Sequence, residues 1–313
     1  MHKPEISIVV PIHNEQEVIE SLYERLTKIM DSLDRPYEII LVNDGSTDNS
    51  ATLLNDLVKR RPKEFRIIHF SGNYGQHMAI MAGFENMRGE VAIMLDADMQ
   101  TPPEEIPKLV AAIDEGHDVV NSFRLNRQDH IWRKFVSKAH NIIRKKITPA
   151  RIKMEDEGSM LRAYRRNIVK QMTATGEKST FITALAMIYA VNPTEIGVKH
   201  AERTLGTSSY NLYKLIRYNF DMLTNFSLVP LQMFTLLGIG VSAFSILFVI
   251  YLFIRRLIVG PEAEGVFTLF AIAFFIMGLI LLGLGIIGEY VGRIYQESQK
   301  RPRFVIQKIV EAE

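Results

Sequence analysis

The chain has no cysteine, which excludes disulfides, thiolate catalysis and cysteine-bound metals together. It also lacks a GxGxxG turn after its first apolar run, where "PIHNE" stands instead. A dinucleotide fold would place its phosphate turn there, so NAD binding is disfavoured. Charge is missing over two long stretches, with no Asp, Glu, Lys or Arg from Met222 to Ile254 or from Gly265 to Gly288. Each exceeds the roughly 20 apolar residues a helix needs to cross a hydrocarbon core of about 30 Å, and Pro230 offers the first a starting point. Core helices of soluble proteins rarely stay uncharged for so long. The sequence therefore predicts a transmembrane hairpin, its two spans joined by Arg255 to Glu264, with both ends on one side.

Lys214, Arg217, Arg293, Lys300, Arg301 and Arg303 flank the outer ends of that hairpin, against Arg255 and Arg256 in its loop. The positive-inside rule then places both termini and the large N-terminal domain in the cytoplasm. The N-terminal apolar run is too short for a signal peptide and no small-residue cleavage site follows it, so the expected location is the cytoplasmic membrane, multi-pass. The net charge of +2 is nearly balanced, and no nucleic-acid partner is expected. Its distribution is uneven, because residues 130–147 carry six Lys or Arg and no acid. Ile131, Phe135, Ala139 and Ile142 recur there at helical spacing. Two readings stand: a solvated surface helix, or an interfacial helix on anionic lipid with Trp132 at headgroup level.

What the first 125 residues contain is an alternation of short apolar runs with amphipathic segments. The runs are "ISIVVPI", "YEIILVN", "FRIIHF", "VAIML" and "DVVNSF", and their spacing fits βαβ crossovers in a mostly parallel sheet covered on both faces. Helix signals lie between them, with Ser46 to Ser50 ahead of "ATLLNDLVKR", Thr101 as an N-cap and Gly116 as a stop. The terminal "RPRFVIQKIV" fits either a strand or a helix. In open α/β sheets, ligands bind beyond the carboxyl ends of the strands.

The fourth run ends in "LDADMQTPPE", with Asp96 and Asp98 two residues apart so that both carboxylates can reach one side of the strand end. No Lys or Arg adjoins them in sequence, a setting that suits Mg²⁺ or Mn²⁺ held by carboxylates and substrate phosphates. An isolated pair of this kind is more often a capping or loop feature. The second run decides the matter, because it ends in Asp44, which can accept a hydrogen bond from a ribose hydroxyl or a base.

"PIHNE", "VNDGSTDNS", "LDADMQTPPEEIP" and the two uncharged spans resemble the family 2 glycosyltransferases, in the branch that uses polyprenyl phosphates. "NYGQHMAIMAGF", "NRQD", "EGSMLRAYRR", "STFI", "HAER", "EGVF" and "GIIGEYVGRIY" extend the likeness over nearly the whole chain, to transferases of 4-deoxy-4-formamido-L-arabinose acting on undecaprenyl phosphate in lipid A modification. The resemblance implies a GT-A fold, α/β and Rossmann-like, followed by interfacial helices and the hairpin. The implied domains are a catalytic domain at 1–210, a juxtamembrane helix at 211–229, the hairpin at 230–288 and a tail at 289–313. It also implies a UDP-sugar donor, undecaprenyl phosphate as acceptor, a lipid bilayer and a homo-oligomer, a tetramer among relatives.

Carried over by position, Asp96 and Asp98 bind the metal and the donor diphosphate, while Pro11, Asn14, Glu15 and Asp44 line the nucleotide pocket. Asp156 matches the acidic residue beside the acceptor and Arg203 the basic residue that meets phosphate. The family's Ser-Lys-Tyr is Ser208-Ser209-Tyr210 here, so a phosphate-binding lysine is missing and Lys214 or Arg203 has to compensate. Arg124 and Arg127 either meet phosphates or are surface charges, and His77 either faces a substrate or makes structural hydrogen bonds. Other classes fit less well. A processive polysaccharide synthase lacks its QxxRW motif and enough spans, and a non-catalytic adaptor has no need of the intact acids. An undecaprenyl-phosphate glucosyl- or hexosaminyltransferase remains the alternative for the sugar.

Overall fold

The computed structural model describes residues 3–125, 159–176, 182–200, 229–260, 265–299 and 302–311. The interfacial stretch 130–147 and most of the juxtamembrane segment 211–229 lie outside them, as do Asp156, Arg127, Arg203 and Lys214. The five apolar runs become β1 (Ile6–Ile12), β2 (Tyr37–Asn43), β3 (Phe65–Phe70), β4 (Val91–Met94) and β5 (Val119–Arg124). Between them lie α1 (Ile19–Ser32), α2 (Ser50–Arg60), α3 (Gln76–Asn86) and α4 (Ile106–Asp114). Beyond β5 come β6 (Arg162–Arg165), α5 (Arg166–Ala174), α6 (Ile182–Tyr189) and β7 (Pro193–Val198). Two long helices, α7 (Val229–Val259) and α8 (Val266–Ser298), precede β8 (Ile306–Val310).

One eight-stranded sheet forms, in the order β7-β5-β6-β4-β1-β2-β3-β8. β1 to β4 pair in parallel, β6 runs antiparallel between β4 and β5, and β8 closes the other edge antiparallel to β3. Alternate residues of the central strands feed two separate cores. Ile6, Ile8 and Val10 of β1 join Leu22, Leu26, Leu54 and Leu109 on one face, while Val9 joins Ile80, Phe84, Ile168 and Leu185 on the other. Burial on both faces is why these strands are continuous apolar runs rather than alternating ones.

One local expectation needs adjustment. Thr101 caps nothing: the chain enters α4 through a short 3₁₀ turn, Pro103–Glu105, whose cap position is Pro102. Within the expected capping stretch Ser46 to Ser50, Asp48 meets the start of α2, accepting from the Ser50 N–H at 3.0 Å. The terminal segment that the sequence leaves open is an edge strand. Residues 301–313 group with residues 1–208 in one compact unit, and residues 209–300 form a second.

Within the second unit, α7 and α8 carry apolar stretches at Leu231–Ile258 and Ile272–Tyr295 with mean hydropathy 2.5 and 2.3. Only 0% and 6% of their most apolar windows are buried, which separates them from the core helices of a soluble protein. Large side chains such as Leu236, Phe244, Phe274 and Leu281 face outwards, as lipid-facing residues do.

Candidate active site

β1 to β5 all point their carboxyl ends to the same edge, by the parallel pairings and the two antiparallel steps through β6. The loops leaving that edge interlock. After β1, Asn14 sits at φ 55, a left-handed conformation uncommon for a residue with a side chain. Its Oδ1 accepts from the Thr47 N–H at 2.8 Å, and its own N–H donates to Ser46 Oγ at 3.1 Å. The Glu15 N–H donates to Ser50 Oγ at 3.1 Å, and the Asn49 N–H to Gln16 Oε1 at 3.0 Å. The β1 and β2 loops are thus one hydrogen-bonded structure, with Pro11 buried beneath them opposite Val42.

Asp44 is buried, and its two oxygens accept from the N–H groups of Tyr74 and Gly75 at 2.6 and 2.8 Å. It therefore clasps the loop after β3, a role its sequence context does not reveal. Gly45, at φ +63, makes the close approach possible, because a Cβ there would lie 2.5 Å from the Gly72 carbonyl carbon. The clasped loop leads into α3, whose first residue reaches the fourth strand: Gln76 Nε2 donates to Asp96 Oδ1 at 2.5 Å.

Asp96 and Asp98 follow β4. Asp98 Oδ1 accepts from the Gln100 N–H at 3.1 Å, closing a turn that puts Met99 at φ 53. Backbone in sparsely populated regions recurs at functional sites, and among the described residues two of the three non-glycine positions with positive φ, Asn14 and Met99, flank this edge. Burial, then the charge of Asp98 and a smaller contribution from Glu15, push the Asp96 carboxyl up to about 7, against the relief given by Gln76 and Arg162. Arg162 is a site residue that hydropathy did not expose. It is fully buried in β6 opposite Met94, and its Nε donates to the Ser159 carbonyl at 3.0 Å. Burial and then the Arg162 charge hold the His77 imidazole below its ordinary pKa, so it is mainly neutral at the start of α3. Arg124 ends β5 on the same edge, two strands from β4 and so about 10 Å across the sheet.

The donor set fits a hard divalent cation. Among the described residues neither Asp96 nor Asp98 has an ion-pair partner, and no three Asp, Glu or His side chains cluster as a complete cage. Mg²⁺ and Mn²⁺ are commonly held by one or two carboxylates, with substrate phosphates and water filling the remaining positions. Bound there, a cation would take the place of the proton that burial and the Asp98 charge favour on Asp96, whose carboxyl is pushed up to about 7. Since that carboxyl must ionise to bind, affinity for Mn²⁺ should fall about tenfold per pH unit below 7 and level off above it. Calorimetric titrations at a series of pH values measure this, and a flat profile would contradict it.

The chain is similar to known proteins in sequence and in fold. The profile of "Glycosyl transferase family 2" matches residues 7–173. The chain is 46% identical over 310 residues to the undecaprenyl-phosphate 4-deoxy-4-formamido-L-arabinose transferase of Yersinia enterocolitica, covering 98% of this chain and 94% of that one. The Serratia proteamaculans transferase of the same name is 46% identical over 307 residues, covering 97% and 94%. Glucosyl-3-phosphoglycerate synthase from Mycobacterium tuberculosis, solved with Mn²⁺, UDP and glucosyl-3-phosphoglycerate, aligns with TM-score 0.45 and 17% identity over 69% of this chain and 76% of that one. The Rossmann-like α/β sheet is the GT-A architecture implied by the motifs, and the chain belongs to glycosyl transferase family 2, as a glycosyltransferase.

Proposed function

We propose that this enzyme transfers 4-deoxy-4-formamido-L-arabinose from its UDP-sugar to undecaprenyl phosphate, with inversion at the anomeric carbon. The observation that carries this reading is that 46% identity runs over 98% of the chain, through both apolar helices and not the nucleotide half alone. In this reading Pro11, Asn14, Glu15 and Asp44 line the nucleotide, and Asp96 and Asp98 would hold Mg²⁺ or Mn²⁺, which would supply charge to the donor diphosphate. When bound, the cation supplies positive charge that stabilises the departing diphosphate.

The acceptor needs little activation. A phosphate monoester has its second pKa near 6, so it is mostly a dianion at neutral pH and no strong base is required. Asp156 orients it, assisting at most the last deprotonation, and Arg124, Arg127, Arg203 and Lys214 supply positive charge to the phosphate. Attack from the face opposite the diphosphate inverts the sugar without a covalent enzyme intermediate.

The acceptor's phosphate lies at the headgroup layer, so the site must be held there. α7 and α8 anchor the chain, and the basic stretch 130–147 lies on anionic lipid. Because β8 belongs to the same sheet as β1 while following both apolar helices, the chain crosses the bilayer an even number of times. Lys and Arg flanking the outer ends support a cytoplasmic position for that sheet. Assembly as a homo-oligomer, a tetramer by the resemblance, belongs to the same proposal. Membranes containing the protein, given undecaprenyl phosphate, Mn²⁺ and a panel of UDP-sugars, should form a lipid-linked sugar most rapidly from the formamido-arabinose donor. No lipid product from any donor would overturn the reading.

A further inference from the structure

The C-terminal strand reaches the nucleotide side of the sheet in a way that the reaction does not explain. Phe304, just ahead of β8, stacks on Phe70 with centroids 5.1 Å apart and planes at 13°. Phe70, the last residue of β3, meets Tyr74 edge-on at 5.6 Å and 87°. Tyr74 supplies the N–H held by Asp44 at 2.6 Å, its hydroxyl pairs with Ser71 Oγ at 3.0 Å, and the Ser71 N–H donates to the Val305 carbonyl at 3.0 Å. Two residues on, Gln76 grips Asp96. Arg303 fixes the near end of the segment by donating to Glu85 Oε1 at 2.6 Å and the Thr173 carbonyl at 3.1 Å. The far end is tied separately, through Glu311 to Arg66 at 2.8 Å.

We propose that Phe304 is a positioning residue for the donor nucleotide. Its ring backs the Phe70–Tyr74 pair, which keeps the 71–75 loop at the height where Asp44 clasps it and Gln76 meets Asp96. An edge strand serving only to cover β3 needs the ladder from Ile306 to Val310; it has no need of an aromatic stack on the loop itself. α8 ends at Ser298 and β8 begins at Ile306, so this support is delivered by the segment leaving the second apolar helix. The proposal rests on the UDP-sugar reading above, which makes the 71–75 loop a wall of the donor site.

The test is UDP binding in the presence of Mn²⁺, measured by calorimetry on the full chain in detergent, together with donor KM and kcat. Phe304→Ala should weaken UDP binding and raise donor KM by about fivefold to tenfold while leaving kcat at saturating donor within about twofold. Phe304→Tyr should behave as wild type. Glu311→Gln, which loosens the other end of the same strand, should leave donor KM unchanged even if it lowers the melting temperature. If Phe304→Ala does not fold, Phe304→Leu, which keeps apolar volume without a stacking face, takes its place with the same expected split. Unchanged UDP affinity in these variants, or equal weakening by Glu311→Gln, would overturn the positioning role. Wild-type protein that bound no UDP would overturn the donor assignment itself.

Discussion

Asp98→Ala is expected to lower turnover by about a hundredfold to a thousandfold with little loss of folded protein. Charge stabilisation by a bound divalent cation is worth several kcal/mol in a transition state, and about 1.4 kcal/mol corresponds to a decade in rate. Asp98 also closes the Met99 turn through its bond to the Gln100 N–H at 3.1 Å. Asp98→Asn separates the two roles, since an amide oxygen can accept that bond while carrying no charge. Both variants should lose activity, and only the alanine should loosen the turn. The stability effect runs the other way. Asp98 is one cause of the raised Asp96 pKa of about 7, second to burial. A carboxyl whose pKa folding raises costs the native state stability progressively as pH climbs from its unfolded value of 3.8 to about 7, and in full above that, because the unfolded chain gives up the proton first. Removing the Asp98 charge should therefore stabilise the metal-free protein slightly above pH 7, with the gain vanishing below it. Thermal melts without metal at several pH values check the sign, and near-wild-type turnover in either variant would contradict the role of the pair.

Gly45→Ala is expected to be the most damaging change of one methyl group at this edge. Left-handed backbone costs a residue with a side chain about 1–2 kcal/mol. The added Cβ would also stand 2.5 Å from the Gly72 carbonyl carbon and 2.7 Å from the Asn73 nitrogen, backbone atoms with no rotamer to give way. The β2 and β3 loops must then part. That strands the Tyr74 and Gly75 N–H groups which Asp44 now satisfies, and a donor left unpaired costs about 1–3 kcal/mol, least where water can reach it. With both donors only partly buried and so near the low end of that range, the sum is about 3–4 kcal/mol, which corresponds to a fall of roughly 10 °C in melting temperature for a unit of this size. UDP binding should weaken with it. A melting temperature within about 2 °C of wild type would mean that the loops are not held together as described.

The parts of the molecule legible from sequence are those dominated by a single short-range signal. β1 to β5 are buried on both faces, so they appear as unbroken apolar runs, and the acids of the site sit at their ends. The two apolar helices are marked by absence of charge over lengths no core helix needs. β6, β7 and β8 carry no such mark. β6 is "RAYR", with one arginine fully buried inside the sheet, and β7 and β8 are short edge strands with polar residues facing solvent. Their pairing is set by contacts from distant parts of the chain, such as Met94 with Arg162 and Ile67 with Val310. The clasp of Asp44 on Tyr74 and Gly75 spans about thirty residues and joins an acid to backbone groups, which leave no trace in residue type. The same holds for Gln76: in "YGQH" the histidine is the residue type that suggests chemistry, while the glutamine amide makes the contact with Asp96.

The position of manganese in the protein with UDP bound, located by its anomalous scattering, bears most directly on the chemistry assigned to this edge. The ion is expected between the UDP diphosphate and the Asp98 carboxylate, with Asp96 on the same side. Manganese bound elsewhere, or UDP seated with both carboxylates turned away from its phosphates, would contradict it.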